Sequence, residues 1–109
     1  MLTHKKTLYI AKDNADKINY LLLHEPTDED DCMSGTITNT ASFSDNIEMD
    51  IKLCGVRFHE DESNLPWTEA VLFENGHEIC CTEPSNSYFG EWTLEYKNIT
   101  YTVDVRIKN

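Results

Sequence analysis

The chain has 109 residues, 9 of them basic and 20 acidic, for a formal net charge of −11, with 39% hydrophobic and 10% aromatic residues. Apolar residues spread along the whole length exclude intrinsic disorder, and the length fits a single domain, residues 1–109, that buries about two-thirds of its unfolded surface. An acidic surplus of this size argues against direct binding to nucleic-acid phosphates or to an anionic membrane.

The charge is unevenly placed. Residues 18–96 hold 17 acids against Lys52 and Arg57, while the two ends hold seven bases against three acids. Too few cations exist to pair the carboxylates one for one, so most must be solvated or must meet a partner's cations.

At the N-terminus, the apolar run before Lys12 and Asp13 is far shorter than a secretory core of about 7 to 15 residues. No stretch approaches the roughly 20 apolar residues of a membrane-spanning helix. A cytoplasmic setting is expected, with Cys32, Cys54, Cys80 and Cys81 reduced. "TLYI", residues 7–10, and "KINYLLL", residues 17–23, read as strands. The alternative is one short helix over residues 11–23 with Ala15, Ile18 and Leu22 on a stripe; Asn14 and Asn19, weak helix formers, favour the strand reading.

"HEPTDEDDCMSG", residues 24–35, reads as a loop. Its run Asp28, Glu29, Asp30 and Asp31 fails as a calcium-binding EF-hand, which needs Gly at the sixth position and Glu at the twelfth. Counting from Asp28 puts Met33 sixth, and counting from Asp30 puts Ala41 twelfth. A nonstandard, weak cation site there remains an alternative.

"TITNTASFSDNIEMDIKLC", residues 36–54, predicts a hairpin with a three-residue loop of Ser44, Asp45 and Asn46. That loop sets Phe43 opposite Ile47 and Ala41 opposite Met49, with Asn46 in the left-handed conformation. Met49, Ile51 and Leu53 then face inward, and Glu48, Asp50, Lys52 and Cys54 outward. "HEDESNLP", residues 59–66, with Glu60, Asp61 and Glu62, reads as a second acidic loop.

"WTEAVLFENGHEICC", residues 67–81, places Asn75-Gly76 at a hairpin turn, the strongest short hairpin signal. Glu74 then faces His77, Phe73 faces Glu78, Leu72 faces Ile79, Val71 faces Cys80 and Ala70 faces Cys81. Successive strand residues point to opposite faces, so the adjacent cysteines cannot share an ion, and His77 and Cys81 lie about 13 Å apart. The cysteines are read as small core residues of a strand pair covered on both sides. "EPSNSYFG", residues 83–90, is a further connection.

"GEWTLEYKNITYTVDV", residues 90–105, predicts a hairpin about Lys97 and Asn98. Trp92, Leu94 and Tyr96 meet Val103, Tyr101 and Ile99 on one face, with Glu91, Thr93 and Glu95 on the other. The predicted fold is therefore mainly β: a single small antiparallel sandwich or open barrel built from hairpins, with room for one short N-terminal helix.

Catalysis and cofactors find no support in the sequence. Cys54 with His59, and His24 with Cys32, lack an orienting third residue or an oxyanion hole. Paired zinc-ligand spacings and nucleotide-binding glycine patterns are missing. No cofactor is expected, and a small metal-binding domain is kept only as an alternative. The functional signal is acidic: Glu48 and Asp50, two apart on a strand and about 6.7 Å from each other, extended by Glu91, Glu95 and the loop residues Asp28, Glu29, Asp30, Asp31, Glu60, Asp61 and Glu62. Such a surface can imitate spaced phosphates and occupy the cationic groove of a nucleic-acid-binding protein. The expected partner is thus another protein with a basic surface. The competing reading is an accessory or assembly module whose acidity serves solubility.

The stretches "WTEAVLFENGHE" and "YFGEWTLEYKNITYTVDV", within a match over residues 43–107, resemble small, acidic, uncharacterised β-rich proteins of gut-type bacteria and of their phages and conjugative elements. The resemblance implies a bacterial, cytoplasmic setting and an accessory role against host nucleic-acid enzymes. It assigns no functional residue.

Overall fold

The computed structural model describes residues 2–23, 37–54 and 67–109. Their elements, in chain order, are β1 (Leu2–Ala11), α1 (Lys12–Leu23), β2 (Ile37–Ser42), β3 (Ile47–Cys54), β4 (Trp67–Glu74), β5 (His77–Cys81), β6 (Gly90–Tyr96) and β7 (Ile99–Lys108). They form a three-stranded sheet of order β1-β7-β6 and a four-stranded sheet of order β2-β3-β4-β5. The mainly β expectation holds, with two sheets around one core and no closed barrel among the described residues.

Period-two alternation accounts for that core. Met49, Ile51 and Leu53 of β3 and Ala70 and Leu72 of β4 are fully buried, and meet Trp92, Tyr101, Val103 and Val105 of the other sheet in one cluster. Each large aliphatic side chain sealed in this way stabilises the fold by about 1.5 to 3 kcal/mol.

The β6–β7 hairpin has the register its pattern predicts, from Glu91 opposite Asp104 to Tyr96 opposite Ile99. Lys97 and Asn98 both take positive φ, 51° and 63°. This is the turn whose twist suits two strands. The β2–β3 register also follows the prediction, with Ala41 opposite Met49 and the Phe43 N–H donating to the Ile47 carbonyl at 2.9 Å. Asn46, however, is not left-handed. The Ser44 hydroxyl accepts from the Ile47 N–H at 3.2 Å, closing the loop with a side chain where a left-handed residue was expected.

Three expectations are corrected. The segment 17–23 is not a strand but the second half of α1. A helix places Ala15 and Ile18 on one stripe, both fully buried in the core, and this burial outweighs the weak propensity of Asn14 and Asn19. A Lys12–Asp16 pair at 3.4 Å adds one-turn support. Second, the fold is not wholly antiparallel: β1 pairs in parallel with β7 over ten consecutive residues, from Leu2 opposite Ile99 to Ala11 opposite Lys108. Third, the β4–β5 hairpin follows its predicted register only near the turn. Glu74 faces His77 and Phe73 faces Glu78, but beyond a bulge Leu72 faces Cys80 and Val71 faces Cys81. Ile79 is the extra residue, and it packs against the core together with Cys80.

Tyr88, in the connection between β5 and β6, is the largest fully buried side chain among the described residues. Its hydroxyl donates to the Ile51 carbonyl and accepts from the Asn39 amide, both at 2.8 Å, while its own carbonyl accepts from Trp92 Nε1 at 3.0 Å. The connection is further held by Thr68 and Ser85, whose backbone groups exchange hydrogen bonds of 2.7 and 2.8 Å.

Candidate interaction surface

Residues that point away from the core define two outer faces. On the four-stranded sheet, alternation and register place Glu48, Asp50, Lys52 and Cys54 of β3 beside Phe73, Val71, Glu69 and Trp67 of β4, with Glu78 of β5 next to Phe73. Glu48, Asp50, Glu69 and Glu78 thus share this face with Lys52 as its cation, and the Lys52 ammonium sits 5.6 Å from the centre of the Phe73 ring. Trp67 is 41% exposed at the end of the same row. None of these four carboxylates forms an ion pair among the described residues.

Glu91 and Glu95 lie elsewhere. They occupy the outer face of the three-stranded sheet, beside Thr100, Thr102, Asp104 and Arg106 of β7 and, across β7, Thr3, Lys5, Thr7 and Tyr9 of β1. Because each sheet turns its inner face to the shared core, the pair Glu48 and Asp50 and the pair Glu91 and Glu95 point in opposite directions. They do not form one plane. Asp28, Glu29, Asp30, Asp31, Glu60, Asp61 and Glu62 lie outside the described residues, as do His24, Cys32 and His59.

The two acidic faces also differ in electrostatics. The three-stranded face is partly neutralised: Lys5 reaches across β7 to Glu91 at 2.9 Å, and Arg106 Nε donates to the nearly buried Asp104 carboxylate at 2.7 Å. On the four-stranded face the carboxylates meet neutral donors. The Thr40 hydroxyl donates to Asp50 at 2.6 Å, and the Cys54 thiol lies 3.4 Å from Glu69 Oε1. Its negative charge is therefore left to solvent or to a partner.

The cysteines separate as well. Cys54, expected to be solvent-facing, is buried although it belongs to the outer row, beneath Trp67 opposite it and Glu69. Burial, and then the Glu69 hydrogen bond and charge, push its thiol up to about 11, against a smaller lowering by Lys52. Cys80 is half-buried, and burial raises its thiol pKa. Cys81, expected in the core, is exposed, because the bulge turns it onto the outer face opposite Val71. A buried thiol held protonated beside a carboxylate is a poor nucleophile. Among the described residues, no three His, Cys, Asp or Glu side chains are gathered closely enough to hold a metal ion.

No protein-family model matches the chain, and neither curated proteins nor solved structures yield a significant match. Among the described residues no helix is long and apolar enough to cross a membrane.

Proposed function

We propose that this is a non-catalytic, protein-binding domain that meets a basic partner protein through the outer face of its four-stranded sheet, in the cytoplasm of a bacterium. The observation that carries this reading is the charge state of that face. Glu48, Asp50, Glu69 and Glu78 have no ion-pair partner among the described residues, and the exposed ring of Trp67 closes the Glu69 end of their face. Carboxylates left without cations favour association with a cationic surface, and an exposed tryptophan supplies the apolar anchor that interfaces use most. In its most specific form the partner is a nucleic-acid-binding protein and the acidic face stands in for phosphates, with Glu48 and Asp50 at a separation of about 6.7 Å.

The neutral hydrogen bonds to Asp50 and Glu69 support a second reading, an accessory module whose acidity keeps it soluble. A pull-down from bacterial lysate at low and at high salt, with and without excess duplex DNA, separates the two. A basic protein released by both salt and DNA, and not captured by the variant E48K/E78K, is the outcome expected of mimicry. A partner indifferent to salt and DNA, or captured equally by the variant, overturns that reading in favour of the accessory module.

A further inference from the structure

The four strands at the sheet margins are not equally guarded. β5 has five residues and adjoins the bulge at Ile79. β6 is approached by the Cys80 thiol, 4.0 Å from the Glu95 carbonyl, and by the Tyr88 connection. β2 has six residues. β1 is longer than all three: it runs for ten residues without Gly, Pro or a break in its pairing with β7, its one neighbour in the sheet among the described residues. A marginal strand carries backbone N–H and C=O groups directed away from the sheet. β2 comes close to β1, and Leu8 and Ile10 are covered, yet every residue from Leu2 to Thr7 is exposed, in both side-chain rows.

Charge selects what can pair with that edge. Lys5 and Lys6 are consecutive, so their ammonium groups lie on opposite faces of β1, one in each row. Lys5 is ion-paired with Glu91 but keeps half of its side chain exposed, and Lys6 has no ion-pair partner among the described residues. A second copy adding its own β1 antiparallel about a two-fold axis near this stretch would bring four lysines together, which like-charge repulsion opposes. The same lysines favour a strand bearing carboxylates on both of its faces. Leu2, 65% exposed, adds an apolar contact at one end.

We infer that Leu2–Thr7 of β1 is an acceptor edge for β-strand addition by an extended acidic segment of a partner protein, a segment with consecutive Asp or Glu residues opposite Lys5 and Lys6 and an apolar residue near Leu2. This site lies on the three-stranded sheet and is independent of the acidic face that meets a basic partner. The protein thereby has two binding surfaces of opposite sign.

The test uses the whole protein and two short capped peptides of about eight residues, a usual strand length. Both alternate valine and threonine; one carries Asp-Glu at its centre and the other Lys-Lys. Amide hydrogen exchange is followed by NMR at saturating peptide. The acidic peptide slows exchange of β1 amides and the lysine peptide does not. Lys6→Glu weakens binding of the acidic peptide by about threefold to tenfold, the effect of one exposed charge pair turned repulsive. The double variant K5E/K6E prefers the lysine peptide. Unchanged β1 exchange with the acidic peptide overturns the inference, as does equal protection by both peptides. The measurement on the unaltered protein decides this even if a variant fails to fold.

Discussion

The Tyr88 hydroxyl donates a 2.8 Å hydrogen bond to the Ile51 carbonyl, which ties the connection between β5 and β6 to the interior of the four-stranded sheet. Ile51 stands directly opposite Asn39 in the β2–β3 ladder, and the Asn39 amide donates to the same hydroxyl. One phenol thus bridges a cross-strand pair from outside the sheet. Burial pushes its pKa up, while the Asn39 hydrogen bond opposes the shift. Tyr88→Phe keeps the ring and strands both partners, which costs about 1 to 3 kcal/mol. Tyr88→Ala adds a cavity and costs about 3 to 5 kcal/mol. Urea denaturation of the three proteins checks the order, and a Tyr88→Phe protein as stable as the wild type would show that the hydroxyl contributes nothing net.

Thr68 secures the other end of the same connection. Its side chain is fully buried, and its hydroxyl approaches the carbonyls of Ser85, at 3.0 Å, and of Ser87. Thr68→Val keeps the shape and removes the donor, so those carbonyls lose a partner at a cost of about 1 to 3 kcal/mol. Faster hydrogen exchange at Ser85 is expected, because its N–H bonds to the Thr68 carbonyl and depends on the same docking. Exchange at the β6–β7 turn should not change.

The β6–β7 turn carries backbone strain at Lys97. A lysine at φ 51° places its β-carbon in a region that costs an L-residue roughly 1 to 2 kcal/mol. Some of this is offset where the Lys97 ammonium lies 5.0 Å from the Tyr96 ring centre. Replacing Lys97-Asn98 with Asn-Gly should raise stability by about 1 kcal/mol, since that pair adopts both positive φ values readily. Thermal melting tests it; a lower midpoint would mean that the lysine's contact with Tyr96 outweighs the strain.

The hairpins were legible because apolar alternation specifies register wherever one face is buried, as Trp92, Leu94 and Tyr96 do against Val103, Tyr101 and Ile99. Other features lie beyond what alternation encodes. Ile79, Cys80 and Cys81 are three consecutive apolar residues, so a slip of one residue in β5 still sets an apolar residue opposite Leu72 and Val71, and nothing local marks the bulge. The β1–β7 pairing joins the two ends of the chain, and no local signal specifies it. The stripe of helix α1 is visible in the sequence as the alternative over residues 11–23, but Asn14 and Asn19 rank it below the strand reading, because the burial of Ala15 and Ile18 that decides for the helix is tertiary in origin. Tyr88 lies in a connection, and the polar run Ser85, Asn86 and Ser87 before it gives no hint of its burial. As for the surface, alternation did place Glu48, Asp50, Glu91 and Glu95 outward, but outward from which sheet depends on the packing of the two sheets together.

Cys54 provides a test that depends on pH. In the folded protein its thiol is pushed up to about 11 from the ordinary 9.0, so the folded state keeps a proton that the unfolded chain releases earlier. Stability from this group is fully present below pH of about 9, declines as the pH rises above that value, and is lost above about 11. Other groups titrate in this range, Tyr88 with the same sign, so the informative quantity is the difference between wild type and Cys54→Ala across that window. The difference should shrink as the pH rises. The same protonated state, together with burial, makes Cys54 slow to alkylate, whereas Cys81 is exposed. In a Cys32→Ala background, which removes the cysteine outside the described residues, labelling followed by mass spectrometry should modify Cys81 first and Cys54 last. Early labelling of Cys54 would mean that the segment under Trp67 and Glu69 opens readily, and the outer face of the four-stranded sheet would then lack the rigidity that a preformed binding surface requires.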